Sequence, residues 1–303
     1  MTDPHPDAPP HAVYAPGKLV LLGEYAVLSG APAVVSAVPW GVRCRVEPGR
    51  GWSVPGDDRF VRAALAGAPA DTGPGARRFV FEAWPPLDLE SKPGFGGSAA
   101  ACVAACLAGG RPAEDAYAVH RAVQGDGSGI DVFASIHGHA RVFDPSDPAR
   151  HRARVAVLPV AVWSGTSAAT GPRVAAYRAW AASDTRAHAR FVAESAACVA
   201  AFADAPVTAL REAGKQLRAM AARAGVDHYE TAALRAIRAL AEQHHGGCKP
   251  SGAGGGDVAV ALFPDPDTRR GFLEACAREG WRTFDARPVP GAARVALSAK
   301  ECR

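Results

Sequence analysis

Four short segments carry residues whose type and spacing could handle a phosphate-bearing ligand. Gly94–Ala100, GFGGSAA, stands directly before an Ala-rich helical stretch. Glycines let backbone N–H groups converge, and a helix N-terminus adds a positive end, so such a loop can cradle phosphate. Ser98 adds a hydroxyl that could meet phosphate or a magnesium ion. The loop is neither a Walker A loop nor a Rossmann fingerprint, and a turn with a capping Ser is the simpler reading. Ser251–Asp257, SGAGGGD, leads straight into the apolar run VAVAL. Three successive glycines are costly to order and suit a backbone that must approach another group closely. Pro16–Tyr25, PGKLVLLGEY, places Lys18 after a Pro-Gly turn at the head of an apolar strand, with Glu24 and Tyr25 at its far end. A Lys there can hold phosphate as a point charge. The bland alternative is a snorkelling Lys and a solvated Glu. Gly127–Asp131, GSGID, offers Asp131 either as a helix cap or as a carboxylate facing a substrate hydroxyl.

Alternating apolar runs broken by Gly and Pro predict strands and tight turns over 14–46. A short helix is expected over 58–65, a loop over 69–76 and a strand over 78–83. The Gly-rich loop at 94–98 runs into a helix. Pro112 reads as the first residue of the next helix, to Val123. The GSGID turn opens a helix ending near His137, and strands are expected over 141–143 and 155–163. From 172 to 245, Ala, Leu and Arg recur at helical spacing, enough for three or four helices. A strand after SGAGGGD, a helix over 267–279 and strands over 281–284 and 294–297 close the chain. The expected fold is α+β with two lobes and a cleft between them. The segments divide as a disordered tail over 1–10, a first lobe over 11–160 and a second over 161–303.

The 303 residues suffice for one or two domains, and with 48% apolar and 21% charged residues the composition is that of a globular chain. This excludes wholesale disorder, collagen and coiled coil. No apolar run approaches the ~18 residues of a membrane span, and the N-terminus lacks a secretory h-region, so the expected compartment is the cytoplasm. A net charge of +4, spread along the chain, is weak support for nucleic acid and suits an enzyme of anionic substrates. Against 29 Arg there are five Lys, and Lys18, Lys92 and Lys249 each sit in or beside a Gly-rich segment. Seven cysteines at irregular spacing form neither a disulfide framework nor a zinc set and read as small buried residues.

Taken together, the segments resemble the GHMP kinases. APGKLVLLGEYAVLSG looks like that family's first motif, PGFGGSAA like its ATP loop and SGAGGGD like its third motif, in family order. Within the family, SGAGGGD, GSGID and WSGTSAAT (163–170) look most like bacterial-type phosphomevalonate kinases, as does Lys92 just before the ATP loop. Phe95 and Gly97 replace a Leu and a Ser of the usual loop, and Ser164 stands where Thr is usual. Where the mevalonate kinase pattern has a metal-binding Glu on the helix upstream of the catalytic Asp, this chain offers His120.

The resemblance implies a two-lobed GHMP kinase fold with ATP and acceptor in the cleft. It implies phosphoryl transfer from ATP, with magnesium, to 5-phosphomevalonate. Mevalonate or a related derivative is the alternative acceptor, and a catalytically silent ligand-binding regulator the alternative class. ATP phosphates are expected at Gly94, Gly96, Gly97, Ser98 and Ala99, with magnesium near Ser98. Lys18, Lys92 and Asp131 are the implied catalytic residues. Acceptor contacts are implied at Glu24, Tyr25, Ser128, Gly129, Ser251, Gly252, Ala253 and Gly254. The implied partners are small molecules, not nucleic acid or membrane, and a homodimer is allowed.

Overall fold

The computed structural model describes residues 11–66, 77–87, 93–146 and 154–297. The expected tail over 1–10, the expected loop over 69–76, and Lys92 lie outside these residues.

The first sheet is built on two long strands, β1 (His11–Leu22) and β2 (Ala33–Pro48), paired antiparallel. The Pro-Gly turn read at 16–17 does not end a strand. β1 runs through it, with a register shift between Ala15 and Gly17. β4 (Arg77–Trp84) and the short β3 (Gly51–Ser53) extend the sheet beyond β2. β5 (Ala140–Phe143) pairs with the other end of β2.

The run LVLL is apolar without alternation because β1 is covered on both faces. Leu19 and Leu21 face a core shared with the second lobe, among Trp163, Leu210, Val260 and Phe284. Val20 faces the other way, onto Ile130 and Phe133. Those two residues belong to α4 (Ile130–His137). Helix α2 (Gly97–Ala108) packs with α1 (Arg59–Leu65) and α3 (Asp115–Gln124) over Val13, Ala15, Cys44 and Phe81. Its alanines keep the helix close to the sheet while favouring helix intrinsically. Pro112 is not the first helical residue. Its carbonyl accepts from Asp115 N at 3.2 Å, in a turn that precedes α3.

The second sheet runs β7 (Gly247–Pro250), β8 (Val258–Leu262), β6 (Val160–Trp163), β9 (Thr283–Asp285), all antiparallel. The strand expected from Val155 begins only at Val160, because Pro159 has no N–H for the ladder. Between β6 and β7 lie four helices: α5 (Thr170–Ser183), α6 (Thr185–Ala201), α7 (Pro206–Ala224) and α8 (Ala232–Gln243). Asp184 and Thr231 cap α6 and α8 by accepting from Ala187 N and Leu234 N. Leu234, Ile237 and Ala241 recur at helical spacing and pack on the second sheet with α9 (Pro266–Arg278).

Dividing the chain at 160 separates the two sheets except at the end. β10 (Ala293–Ala296) returns to the first sheet and pairs with His11–Tyr14 of β1. Among the described residues, the cysteines are free and buried, and no helix is long and apolar enough to cross a membrane.

Candidate functional site

β1 sets Lys18 at the start of its apolar run, and the following Gly-rich loop is pinned to it. Lys18 N donates to Phe95 O at 2.8 Å. Gly17 makes this approach sterically feasible, because a Cβ there would lie 2.0 Å from the Trp40 carbonyl oxygen and 2.5 Å from that of Phe95. Gly17→Ala is therefore expected to destabilise the fold by about 3 kcal/mol, the upper end for forced overpacking, as read by urea denaturation. Phe95 turns inward, stacked on Trp40 at 5.2 Å between ring centroids and edge-on to Phe284 at 5.5 Å. An aromatic slot therefore holds the residue that departs from the family's Leu.

Gly96 begins α2 in the left-handed region, with φ 73°. A Cβ there would stand 2.8 Å from Lys18 Cγ and 3.5 Å from Asp131 Oδ2. Lys18, the loop and Asp131 thus meet at one point, and Lys18 Nζ lies 3.6 Å from Asp131 Oδ1. Asp131 is in the first turn of α4, delivered there by the GSG turn, where Ser128 Oγ accepts from Ile130 N at 3.3 Å. Ser98 is exposed on the first turn of α2, whereas the Ala99 side chain is buried in the core beneath it.

These groups open onto a cavity of about 610 Å³, lined among others by Lys18, Glu24, Tyr25, Ser98, Ser128, Gly129, Asp131, Gly252 and Ala253. Two residues expected to touch acceptor do not line it. Ser251 is turned inward, its hydroxyl accepting from Val20 N and donating to Val20 O, both at 3.0 Å. It couples the third motif to β1. Gly254 is buried against Tyr229, which a Cβ would strike at 2.5 Å.

Glu24 reaches the cavity wall but is not solvated. It is 4% exposed, and its Oε1 is ion-paired to Lys249, which is wholly buried. Gly252 N lies 3.4 Å from the same oxygen. Burial pushes the Lys249 ammonium towards its neutral form, and Glu24 draws it back. Tyr25 donates its hydroxyl to Ala253 O at 2.7 Å, so the first and third motifs are joined twice beside the cavity.

Asp257 closes the third motif against the loop, where its carboxylate would meet a Cβ on Gly94 at 2.6 Å. Oδ1 accepts from Ala168 N at 3.2 Å, and Asp257 N donates to Thr166 O at 2.7 Å, which anchors the WSGTSAAT segment. Burial raises its carboxyl pKa above the ordinary value. Arg173 packs over Gly255 and donates to Ala169 O at 2.6 Å.

Sequence reasoning gave no cavity role to Tyr117, Arg121, Gln124, Asp126 or Arg178, all of which line the cavity. His120 lines it too, stacked on Phe60 at 4.7 Å with Nε2 buried and unpartnered, and burial lowers its pKa. Among the described residues, no cluster of three or more His, Cys, Asp or Glu is arranged to hold a metal ion. Oxygen donors beside the loop that also line the cavity include the Ser98 hydroxyl and the Asp131 carboxylate. That set fits a magnesium ion that arrives on nucleotide phosphates and keeps several waters.

No curated protein sequence matches the chain. The family model "GHMP kinases C terminal" matches residues 197–282. Among solved structures, a Lin0012 protein from Listeria innocua is similar, with a TM-score of 0.79 at 20% identity over 94% of this chain and 99% of that one. Streptococcus pneumoniae phosphomevalonate kinase, in complex with phosphomevalonate and AMPPNP, gives 0.67 at 17% identity, covering 94% and 99%. Mevalonate kinase of L. major, with R-mevalonate, gives 0.65 at 20%, covering 94% and 96%. Residues 197–282 thus match the C-terminal domain of the GHMP kinases, and the described residues have the two-lobed fold of that group's structures.

Proposed function

We propose that this protein is an ATP-dependent small-molecule kinase that phosphorylates 5-phosphomevalonate, giving 5-diphosphomevalonate and ADP. The observation that carries the reading is the convergence of Lys18, Gly96 and Asp131 beside the exposed Ser98. The solved phosphomevalonate kinase and mevalonate kinase structures share its fold.

Phosphoryl transfer is mostly positioning and charge neutralisation. In the proposed arrangement ATP phosphates lie along Gly94, Gly96, Gly97 and Ser98, against the loop amides and the N-terminus of α2. Ser98 and Asp131 would hold magnesium, whose chemistry when bound is to offset charge on the nucleotide phosphates. Lys18 faces the transferring phosphoryl group, and Asp131 holds Lys18 in place. A phosphate acceptor is already anionic near neutral pH, so the site needs cations more than a strong base. Lys92, adjoining the loop in sequence, is proposed as a second cation for the two anions.

The test is ADP release with magnesium and ATP across mevalonate, 5-phosphomevalonate, 5-diphosphomevalonate, homoserine and galactose, with Lys18→Met as control. Turnover confined to 5-phosphomevalonate and lost in the variant is expected. Turnover with another acceptor replaces the substrate. ATP binding without any turnover favours the silent regulator.

A further inference from the structure

The cavity carries a second charged cluster that the transfer chemistry does not use. Arg178, on α5 of the second lobe, is ion-paired to Asp126 from the α3–α4 connection of the first. Both line the cavity, as does Arg121 of α3. Of the six Lys, Arg, Asp and Glu residues in the lining, Lys18 pairs with Asp131, and Glu24 is ion-paired to Lys249 behind the wall, while burial disfavours the charged form of His120. That leaves Arg121 and Arg178 against Asp126, an excess of one positive charge inside a cavity of small-molecule size. The Arg178–Asp126 pair is solvent-accessible, at 47% and 60% exposure, so it is weak and exchangeable. Arginine is also the side chain whose fork matches a carboxylate or phosphate with two parallel hydrogen bonds.

We infer that Arg178, assisted by Arg121, recognises an oxyanion of the acceptor remote from its reacting oxygen, and that Asp126 is a carboxylate stand-in which that oxyanion displaces. This rests on the kinase reading and deepens it. The acceptor must carry two anionic groups or one anion and a reacting hydroxyl, and Arg178 selects for the non-reacting anion. Because Arg178 and Asp126 come from different lobes, the exchange also moves an interlobe tie from protein to ligand.

The test uses the full chain saturated with AMPPNP and magnesium, titrated calorimetrically with inorganic phosphate. Asp126→Asn is expected to tighten phosphate binding about tenfold, because the competing carboxylate is gone. Arg178→Gln is expected to weaken it about tenfold, with Arg178→Lys restoring part, because an ammonium keeps the charge and loses the fork. In steady-state assays with 5-phosphomevalonate, Arg178→Gln should raise the acceptor KM about 10- to 100-fold with kcat within about threefold, the pattern of lost uniform binding. Unfolding midpoints serve as the folding control.

Phosphate affinity that ignores Arg178→Gln overturns the proposal. So does equal weakening in both variants, which makes the pair an interlobe strut only. The titration requires no turnover. If no acceptor reacts and phosphate still follows Arg178, the anion site stands and the kinase reading falls.

Discussion

Lys18→Met is expected to lower kcat by roughly 30- to 1,000-fold, corresponding to about 2–4 kcal/mol of transition-state stabilisation, with little change in fold stability. The side chain is 13% exposed and stands 3.6 Å from Asp131. Methionine keeps the stem that packs on Gly96 and removes only the charge. The loss falls on kcat because the ammonium acts where charge develops between two phosphates, and the Asp131 carboxylate left behind repels both. Asp131→Asn discriminates between acceptors. With a phosphate acceptor it removes only the support of Lys18 and magnesium, since no proton has to be taken. With a hydroxyl acceptor it should cost more, because proton removal is lost as well. Steady-state rates of both variants on 5-phosphomevalonate and mevalonate decide this.

Lys249→Met is expected to cost about 3–5 kcal/mol of folding stability, as for removal of one partner from a buried pair. Glu24 would then be a carboxylate at 4% exposure whose remaining hydrogen-bond donor is Gly252 N at 3.4 Å, while its Oε2 already has no partner. Replacing both, as Glu24→Gln with Lys249→Met, should recover most of the loss, because uncharged groups of similar volume need no compensating charge. Urea denaturation of the two single variants and the double variant reads the coupling. If the double variant is no more stable than Lys249→Met, the pair is not the cause of the loss. Tyr25 and Ala253 hang on the same junction, so the single variant should also weaken acceptor binding.

What was legible in the sequence was local. Glycine runs mark the loop at 94–98 and the third motif, because backbone that approaches other groups closely leaves a compositional trace. Lys18 stood out because lysine is rare in this chain, and the GSGID turn pointed to Asp131. The apolar run of β1 and the helical spacing after 172 placed both lobes. Contacts made by distant partners were not legible. Glu24 and Lys249 are 225 positions apart, so Glu24 read as solvated or as an acceptor contact rather than as half of a buried pair. Ser251 sits in a Gly-rich loop, which suggested a ligand, yet its hydroxyl satisfies a strand backbone 231 positions away. Arg178 is one of 29 arginines and has no local signature. The boundary at 160 missed the return of β10 because four apolar and charged residues look alike in either sheet.

That returning strand fixes the order in which the protein can be finished. In the order of synthesis β1 precedes its outer partner, β10, by about 280 residues. Throughout synthesis of both lobes, the His11–Tyr14 edge has its backbone N–H and C=O groups bare on that side, the kind of edge on which nascent chains stick to one another. The first lobe, although encoded first, is closed last, once β10 has emerged to complete the sheet bearing Lys18.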